Sequence, residues 1–310
     1  MVRENDSIVV PASSANLGCG FDCGALTLSL YMRVRGHLEA TPGFRIRYSG
    51  PHPERVPLDD SNLVVRAARS AAERIGVGMA GGEIEIENEI PIAAGLGSSA
   101  AAIVAGILLA ARQFGEPPDP MALLALACRI EGHPDNVAAA WHGGLVVAAP
   151  QPDGQVRVAR AALPEDLQLI AVVPDFQLTT ARARAVLPAR YDRADAVHNL
   201  QRFALLVATC FSGEFRLAPE LFLDRLHQPF RAPLVPGLEA CFALRHPDLL
   251  GVFLSGAGSA VLALARASAA EIGDRLASEF MGRGVNARVF LLRPENRGAR
   301  DFLAGRAADS

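Results

Sequence analysis

Long apolar runs are missing from this chain of 310 residues. The longest, from about Ala100 to Ala111, falls well short of the roughly twenty residues that a bilayer-crossing helix needs, so no membrane partner is expected. An excess of positive charge is missing too. The net charge is −3 and the basic residues are scattered, which argues against nucleic acid or an anionic membrane as the main partner. Cysteine is sparse, with five in all. The only close pair, Cys19 and Cys23, has no second pair and no His-x3-5-His nearby, so a zinc site is not expected and reduced thiols are. The first residues, Met-Val-Arg-Glu-Asn-Asp-Ser, carry acidic groups where a secretory signal needs an apolar core. These absences predict a soluble, cytoplasmic protein that acts on a small molecule.

What the chain does have is apolar substance and glycine bends. Half of its residues are hydrophobic, enough to fill the two cores that a prior of about 150 residues per domain suggests at this length. An apolar strand at Leu167–Val173 opens the second half, which divides the chain into residues 1–164 and 165–310.

The organising stretch is Pro91-Ile-Ala-Ala-Gly-Leu-Gly-Ser-Ser-Ala100, because the apolar run from Ala101 to Ala111 that follows reads as a buried helix. Gly95 and Gly97 let the backbone take positive φ and pass close to a ligand. Ser98 and Ser99 bring hydroxyls to the first helical turn, where unpaired amides and the positive end of the dipole meet. Such a bend suits phosphate or another anion. Capping alone would need fewer of these residues. Gly95-Leu-Gly97-Ser-Ser-Ala100 also fits the dinucleotide fingerprint G-x-G-x-x-A. However, Pro91 interrupts the strand that should enter the first glycine, and Gly115-Glu-Pro-Pro-Asp119 stands where a second strand should be. No G-x-x-x-x-G-K-[ST] loop occurs in the chain. A nucleotide phosphate loop of another kind remains.

Upstream, Ser7 to Val10 reads as a short strand ended by the loop Pro11 to Asp22, where Asn16 and Asp22 offer more polar capacity than a turn consumes. Ser61 or Asn62 caps a helix over Val64–Ile75, and Asn62 could equally touch a base or ribose. Gly82 to Ile90 alternates as a strand with one wet face. A helix from Pro120 to Ile130 ends in Glu131-Gly-His133-Pro-Asp135-Asn136. Glu131 meets the negative end of the helix dipole and gains nothing there, so it is either a solvated carboxylate or a metal ligand. Asp135 and Asn136 read as a turn after Pro134.

In the second half, the helix starting at Thr179-Thr180 carries Arg182 and Arg184 on different faces, one solvated and one able to face a cleft. A helix from Ala194 to Cys210, an amphipathic segment from Glu220 to Leu226 and a loop from His227 to Gly237 follow. Arg231, held between prolines, is preorganised for a carboxylate or phosphate. Gly251 to Leu264 gives strand, glycine turn and strand. The turn around Gly256 is a plain hairpin or a place where another backbone or a phosphate approaches. A helix capped by Ser268 and a strand over Ala287–Leu292 close an α+β layer.

Assembled in order, these stretches resemble the GHMP kinases, a superfamily of small-molecule kinases, and within it the homoserine kinase family. Pro91 to Ala101 resembles the superfamily's phosphate loop, P-x-x-x-G-L-G-S-S-A-A. Pro11 to Asp22 resembles its first motif and Leu254 to Ala260 its third. The narrower resemblance rests on Glu131-Gly-His-Pro-Asp-Asn-Val, on Thr180-x-x-x-Arg184 with Leu187-Pro188, and on Pro229-x-Arg231 with Pro236-Gly237.

The resemblance implies an α+β GHMP kinase fold. Residues 1–164 would form a ribosomal-protein-S5-like βαβ domain that binds nucleotide, and residues 165–310 a ferredoxin-like α/β sandwich that completes the substrate site. It implies phosphorylation of the side-chain hydroxyl of L-homoserine by ATP with Mg²⁺, in threonine biosynthesis, with no nucleic acid or membrane partner and room for a homodimer. For the nucleotide it implies Asn62 near adenosine, and Pro91, Gly95, Leu96, Gly97, Ser98, Ser99, Ala100 and Ala101 around the phosphates. Ser98 and Glu131 would meet Mg²⁺ and, with Asn136, make up the catalytic set. For the amino acid it implies Asn16 and Asp22 near the ammonium, Arg184 and Arg231 on the carboxylate, Asn136 at the hydroxyl, and His133, Thr180 and Gly256 beside them. One carboxylate and two guanidiniums are also what a zwitterion needs.

The chain departs from the family pattern at Cys19, which replaces a proline, at Ser259-Ala260, which replace Pro-Thr, and at Asn88, which replaces a common lysine. Asn136 stands where mevalonate-type relatives carry aspartate, and an asparagine cannot take a proton. Direct transfer with late proton loss is therefore expected. Rival expectations are a kinase for another small alcohol, such as mevalonate or shikimate, and a catalytically silent nucleotide sensor of the same fold. Retention of Ser98 with Glu131 speaks against the sensor.

Overall fold

The computed structural model describes residues 7–117, 119 and 121–308. It opens with two antiparallel strands, β1 (Ile8–Ala15) and β2 (Gly24–Glu39). β1 does not stop at Val10 as expected. It runs on through Pro11 with a bulge between Pro11 and Ala12. A proline has no N–H to give a ladder, and β1 tolerates one because it pairs with β2 alone.

Next, β3 (Gly43–Ser49), α1 (Leu63–Ile75) and β4 (Gly81–Asn88) make a parallel crossover. Asn62 caps α1, its Oδ1 accepting from the Val64 amide at 3.0 Å, and Gly76 ends it in a left-handed conformation. The buried helix of the sequence is α2 (Ser98–Phe114). Its small residues let α1 close on it: a Cβ added at Gly106 would fall 2.2 Å from the Val64 carbonyl oxygen.

α3 (Met121–Glu131) and α4 (Asp135–His142) follow; Pro120, the expected start of α3, lies outside the described residues. α4 corrects the sequence reading. Pro134 sits at its N-cap, so Asp135 and Asn136 belong to the first turn of a helix rather than to a turn. A proline reads as a stop, yet the start of a helix needs no partner for its N–H. The hairpin β5 (Leu145–Pro150) and β6 (Val156–Ala161) completes a six-stranded sheet in the order β3-β4-β2-β5-β6, with β1 on β2. α2 and α4 lie against β1 and β2.

The second half runs β7 (Gln168–Pro174), α5 (Thr180–Ala185), α6 (Arg193–Phe211), α7 (Gln228–Arg231), α8 (Leu238–Ala243), β8 (Leu249–Leu254), β9 (Val261–Ala265), α9 (Ala269–Met281), β10 (Ala287–Leu292) and α10 (Ala299–Ala308). The four strands form an antiparallel sheet in the order β10-β7-β9-β8, with α9 against β7 and β10. This is the ferredoxin-like arrangement. Leu169, Ala171 and Val173 of β7 face one core while Ile170 and Val172 face the other. Both faces of β7 are buried, which is why its sequence is continuously apolar rather than alternating.

Three further expectations are corrected here. Glu220 to Leu226 holds only the end of a single 3-10 turn, Pro219–Phe222. The region read as a loop from His227 contains α7. Ser268 occupies the cap position of α9 without capping it, its hydroxyl donating instead to Asp248 at 2.6 Å. After β10 the chain returns to the first sheet, where Pro294 bridges Leu28 and α10 rests against β1 and α4. No helix among the described residues is long and apolar enough to cross a membrane.

Candidate active site

Three loops meet at the N-terminus of α2: residues 16–23 after β1, 89–97 after β4, and 255–260 between β8 and β9. Gly95 (φ 85°) and Gly97 (φ 75°) take left-handed conformations, as glycine allows. The close approach expected of a ligand is made here by the protein itself. A Cβ on Gly95 would lie 2.2 Å from the Ser255 carbonyl oxygen, and one on Gly97 2.2 Å from Ser13 Oγ. Ser255 Oγ donates to the Gly95 carbonyl at 2.7 Å, and Asn16 Nδ2 to the Gly256 carbonyl at 2.8 Å while its Oδ1 accepts from the Asp22 amide. The glycines thus lock the loops together.

The loops and the start of α2 enclose a cavity of about 300 Å³. Its lining includes Pro91, Gly95, Leu96, Gly97, Ser98 and Ser99, with Glu131, His133 and Asn136, and also Asn16, Asp22, Thr180, Arg184, Arg231 and Gly256. Three predicted residues stand elsewhere. Asn62 caps α1 and gives its Nδ2 to the Pro57 carbonyl at 2.7 Å. Ala100 and Ala101 are fully buried in α2. Asn88, in the place of the common lysine, clamps Ile90 through both its carbonyl and its amide.

Glu131 ends α3 with its side chain largely covered, and Ser99 rather than Ser98 donates to its Oε2 at 2.7 Å. Burial raises the pKa of this carboxyl, and the Ser99 bond only partly offsets that. No arginine lies within ion-pair distance of it among the described residues. His133 Nδ1 meets Asp135 Oδ1 at 2.6 Å, and the same oxygen accepts from the Asn136 amide. Burial alone would lower the imidazole pKa, but the bond to Asp135 and its charge prevail and raise it. Ser13 Oγ donates to Asn136 Oδ1 at 2.9 Å, which leaves the amide nitrogen as a donor.

In the same cavity Asp22 and Arg184 form a two-bonded ion pair. Arg231 is 1% exposed. Its Nε donates to the Ala183 carbonyl, and its Nη1 to the Gly256 carbonyl and to His227 Nδ1, all within 3.1 Å. No carboxylate among the described residues lies within ion-pair distance of it. Burial, and then Arg184, lower its pKa to about 10, so it stays charged at neutral pH. Both guanidiniums lie over the Phe21 ring. Sequence reasoning missed Asp135, Phe21 and His227 as site residues. The i, i+4 spacing of His227 and Arg231 was a usable signal, since it puts them on one face of a helical turn.

Comparison with known proteins places the chain in a family. The family model for the N-terminal domain of GHMP kinases matches residues 62–144, and that for the GHMP kinase C-terminal domain matches residues 211–282. A homoserine kinase of Solibacter usitatus is 46% identical over 253 residues, covering 82% of this chain and 83% of that protein. One of Moorella thermoacetica is 40% identical over 94% of this chain and 97% of that protein.

The chain belongs to the homoserine kinase family of the GHMP kinases. The family is one of phosphotransferases. A solved homoserine kinase of Cytophaga hutchinsonii superposes with a TM-score of 0.80 at 27% identity, over 96% of this chain and 98% of that one. The mevalonate kinase of L. major, solved with R-mevalonate, shares the fold at a TM-score of 0.66 and 15% identity, over 94% and 96% of the two chains.

Proposed function

We propose that this chain transfers the γ-phosphoryl group of ATP to the side-chain hydroxyl of L-homoserine. The observation that carries the proposal is one cavity lined by two chemically different groups: a glycine bend at a helix N-terminus, and Asp22 with two guanidiniums. Amides and the dipole at the start of α2 attract phosphate oxygens. Arg184 and Arg231 take the amino acid's carboxylate, and Asp22 its ammonium.

The donor set also fits Mg²⁺. Glu131 is a largely covered carboxylate with no arginine within ion-pair distance among the described residues and His133 Nε2 at 3.9 Å, and Ser98 lines the same cavity. No group of three or more His, Cys, Asp or Glu able to hold a metal occurs among the described residues. A cation here would therefore share phosphate and water oxygens, as Mg²⁺ does. Ser98 and Glu131 would hold it, and it would neutralise charge on the transferring phosphoryl group.

Asn136 orients the hydroxyl as a hydrogen-bond donor and takes no proton. Positioning and charge neutralisation suffice when the transition state is loose, so the hydroxyl proton leaves late, to the γ-phosphate itself. A coupled assay with ATP and homoserine, mevalonate, shikimate or buffer alone tests the assignment. Turnover with homoserine only is expected, and equal rates in all four would defeat it.

A further inference from the structure

His227 is fully buried and does not line the cavity, yet it touches the residue that matters there. Its Nε2 lies 2.7 Å from the Gly18 carbonyl oxygen, which only accepts, so Nε2 carries the proton. Its Nδ1 is then a lone pair, 3.1 Å from Arg231 Nη1, which only donates. The tautomer is fixed from both sides. The ring is held from behind by Phe21, stacked at 5.1 Å. Its backbone is held by Asp224, whose carboxylate accepts from the amides of Leu226, His227 and Gln228. With Nε and Nη1 directed to the Ala183 and Gly256 carbonyls and to His227, Nη2 is the edge of the guanidinium without a protein hydrogen bond among the described residues.

Resting on the homoserine kinase activity proposed above, we propose that His227 is a positioning residue: its Nδ1 lone pair fixes the plane of the buried Arg231 guanidinium so that Nη2 presents its N–H groups to the carboxylate of the substrate amino acid. His227 never touches the substrate. It sets which substrate is accepted, favouring one that carries a carboxylate over the same amino alcohol without it.

The test compares H227Q, which keeps a donor for Gly18 and loses the acceptor for Arg231, with H227N, whose side-chain oxygen falls at the Nδ1 position. H227Q should raise KM for homoserine about tenfold, the scale of one bond to a charged group, with kcat and KM for ATP within about twofold. H227N should recover most of that loss. The ratio of kcat/KM for homoserine to that for 3-aminopropan-1-ol, which lacks only the carboxylate, should fall about tenfold in H227Q. That ratio does not depend on how much of the variant folds. In an R231A background H227Q should change the homoserine KM less than about twofold, since its effect passes through Arg231. An unchanged ratio in H227Q, or the full tenfold effect persisting without Arg231, would overturn the role. Wild-type protein that neither binds nor phosphorylates homoserine would overturn the activity and this role together; normal wild-type turnover with an unaffected H227Q overturns the role alone.

Discussion

Asp22 and Arg184, 162 residues apart in sequence, hold each other through two bonds, Nη2 to Oδ1 at 2.8 Å and Nη1 to Oδ2 at 3.0 Å. These groups were expected to bind opposite ends of a zwitterion. A zwitterion entering between them would exchange one internal ion pair for two with the substrate, with no change in net charge. The exchange is accessible because both side chains are partly exposed, at 35% and 40%, and such pairs contribute at most about 1 kcal/mol. Arg231 differs: it is buried with no carboxylate within ion-pair distance among the described residues, a standing cation whose counter-charge the substrate would supply under the proposed function.

A charge swap separates the pair from its binding duty. Asp22→Arg with Arg184→Asp can restore the ion pair, so its melting temperature should stay within a few degrees of wild type. Homoserine turnover should fall at least about a hundredfold, because each charge now meets the wrong end of the substrate. Retained turnover in the swapped protein would show that neither residue contacts the zwitterion.

The burial of His227 predicts acid lability. Burial lowers its pKa from 6.5 to about 4, with Asp224 opposing and Arg231 adding to the shift. The unfolded chain therefore binds the proton first, and between pH 6.5 and about 4 stability falls as pH falls. Above that window His227 contributes no slope. Melting curves across this range should show wild type losing stability more steeply than H227N. Parallel curves would mean that His227 does not carry the loss.

Much of this was readable in the residues, and what was not has physical causes. The Asn62 cap, the α2 run and the alternation of β4 are local signals, and the structure follows them. β1 and α4 were misread at prolines, because whether a proline ends an element depends on its partners: a single-sided ladder for Pro11, a helix start for Pro134. The cavity residues could be named from the motifs. The pairing of Asp22 with Arg184 could not, since it depends on how the loop after β1 and α5 converge in space, whereas the backing of Arg231 by His227 is local to one helical turn and was signalled by their i, i+4 spacing. Asn62 shows the reverse limit, because its cap and its bond to Pro57 already use both ends of its amide.

Ser98 and Ser99 are adjacent, but only Ser99 is bonded to Glu131. If Ser98 and Glu131 share the cation, Ser98→Ala should raise the Mg²⁺ concentration for half-maximal rate about tenfold. Ser99→Ala removes a competing donor from the carboxylate and should change it less than about twofold. Magnesium titrations at saturating ATP and homoserine check this, and a larger rise in Ser99→Ala would transfer the role to Ser99.

Asn136→Asp distinguishes direct transfer from base catalysis. Asn136 stands one residue after the buried Asp135, with its Oδ1 held by Ser13. A carboxylate there keeps the acceptor for Ser13 but loses the amide donor and places a negative charge beside the incoming γ-phosphate. If the hydroxyl proton leaves late and goes to phosphate, the variant gains nothing from a nearby base and should lose about tenfold or more in kcat. Asn136→Ala, which loses the donor without adding the charge, should fall less. If the proton instead has to be removed early, the new carboxylate would raise kcat and add an acidic limb to its pH profile at the aspartate's pKa. Rate profiles of both variants at saturating substrates decide between the two, because only a base can produce the limb and only loss of the donor can lower kcat in both.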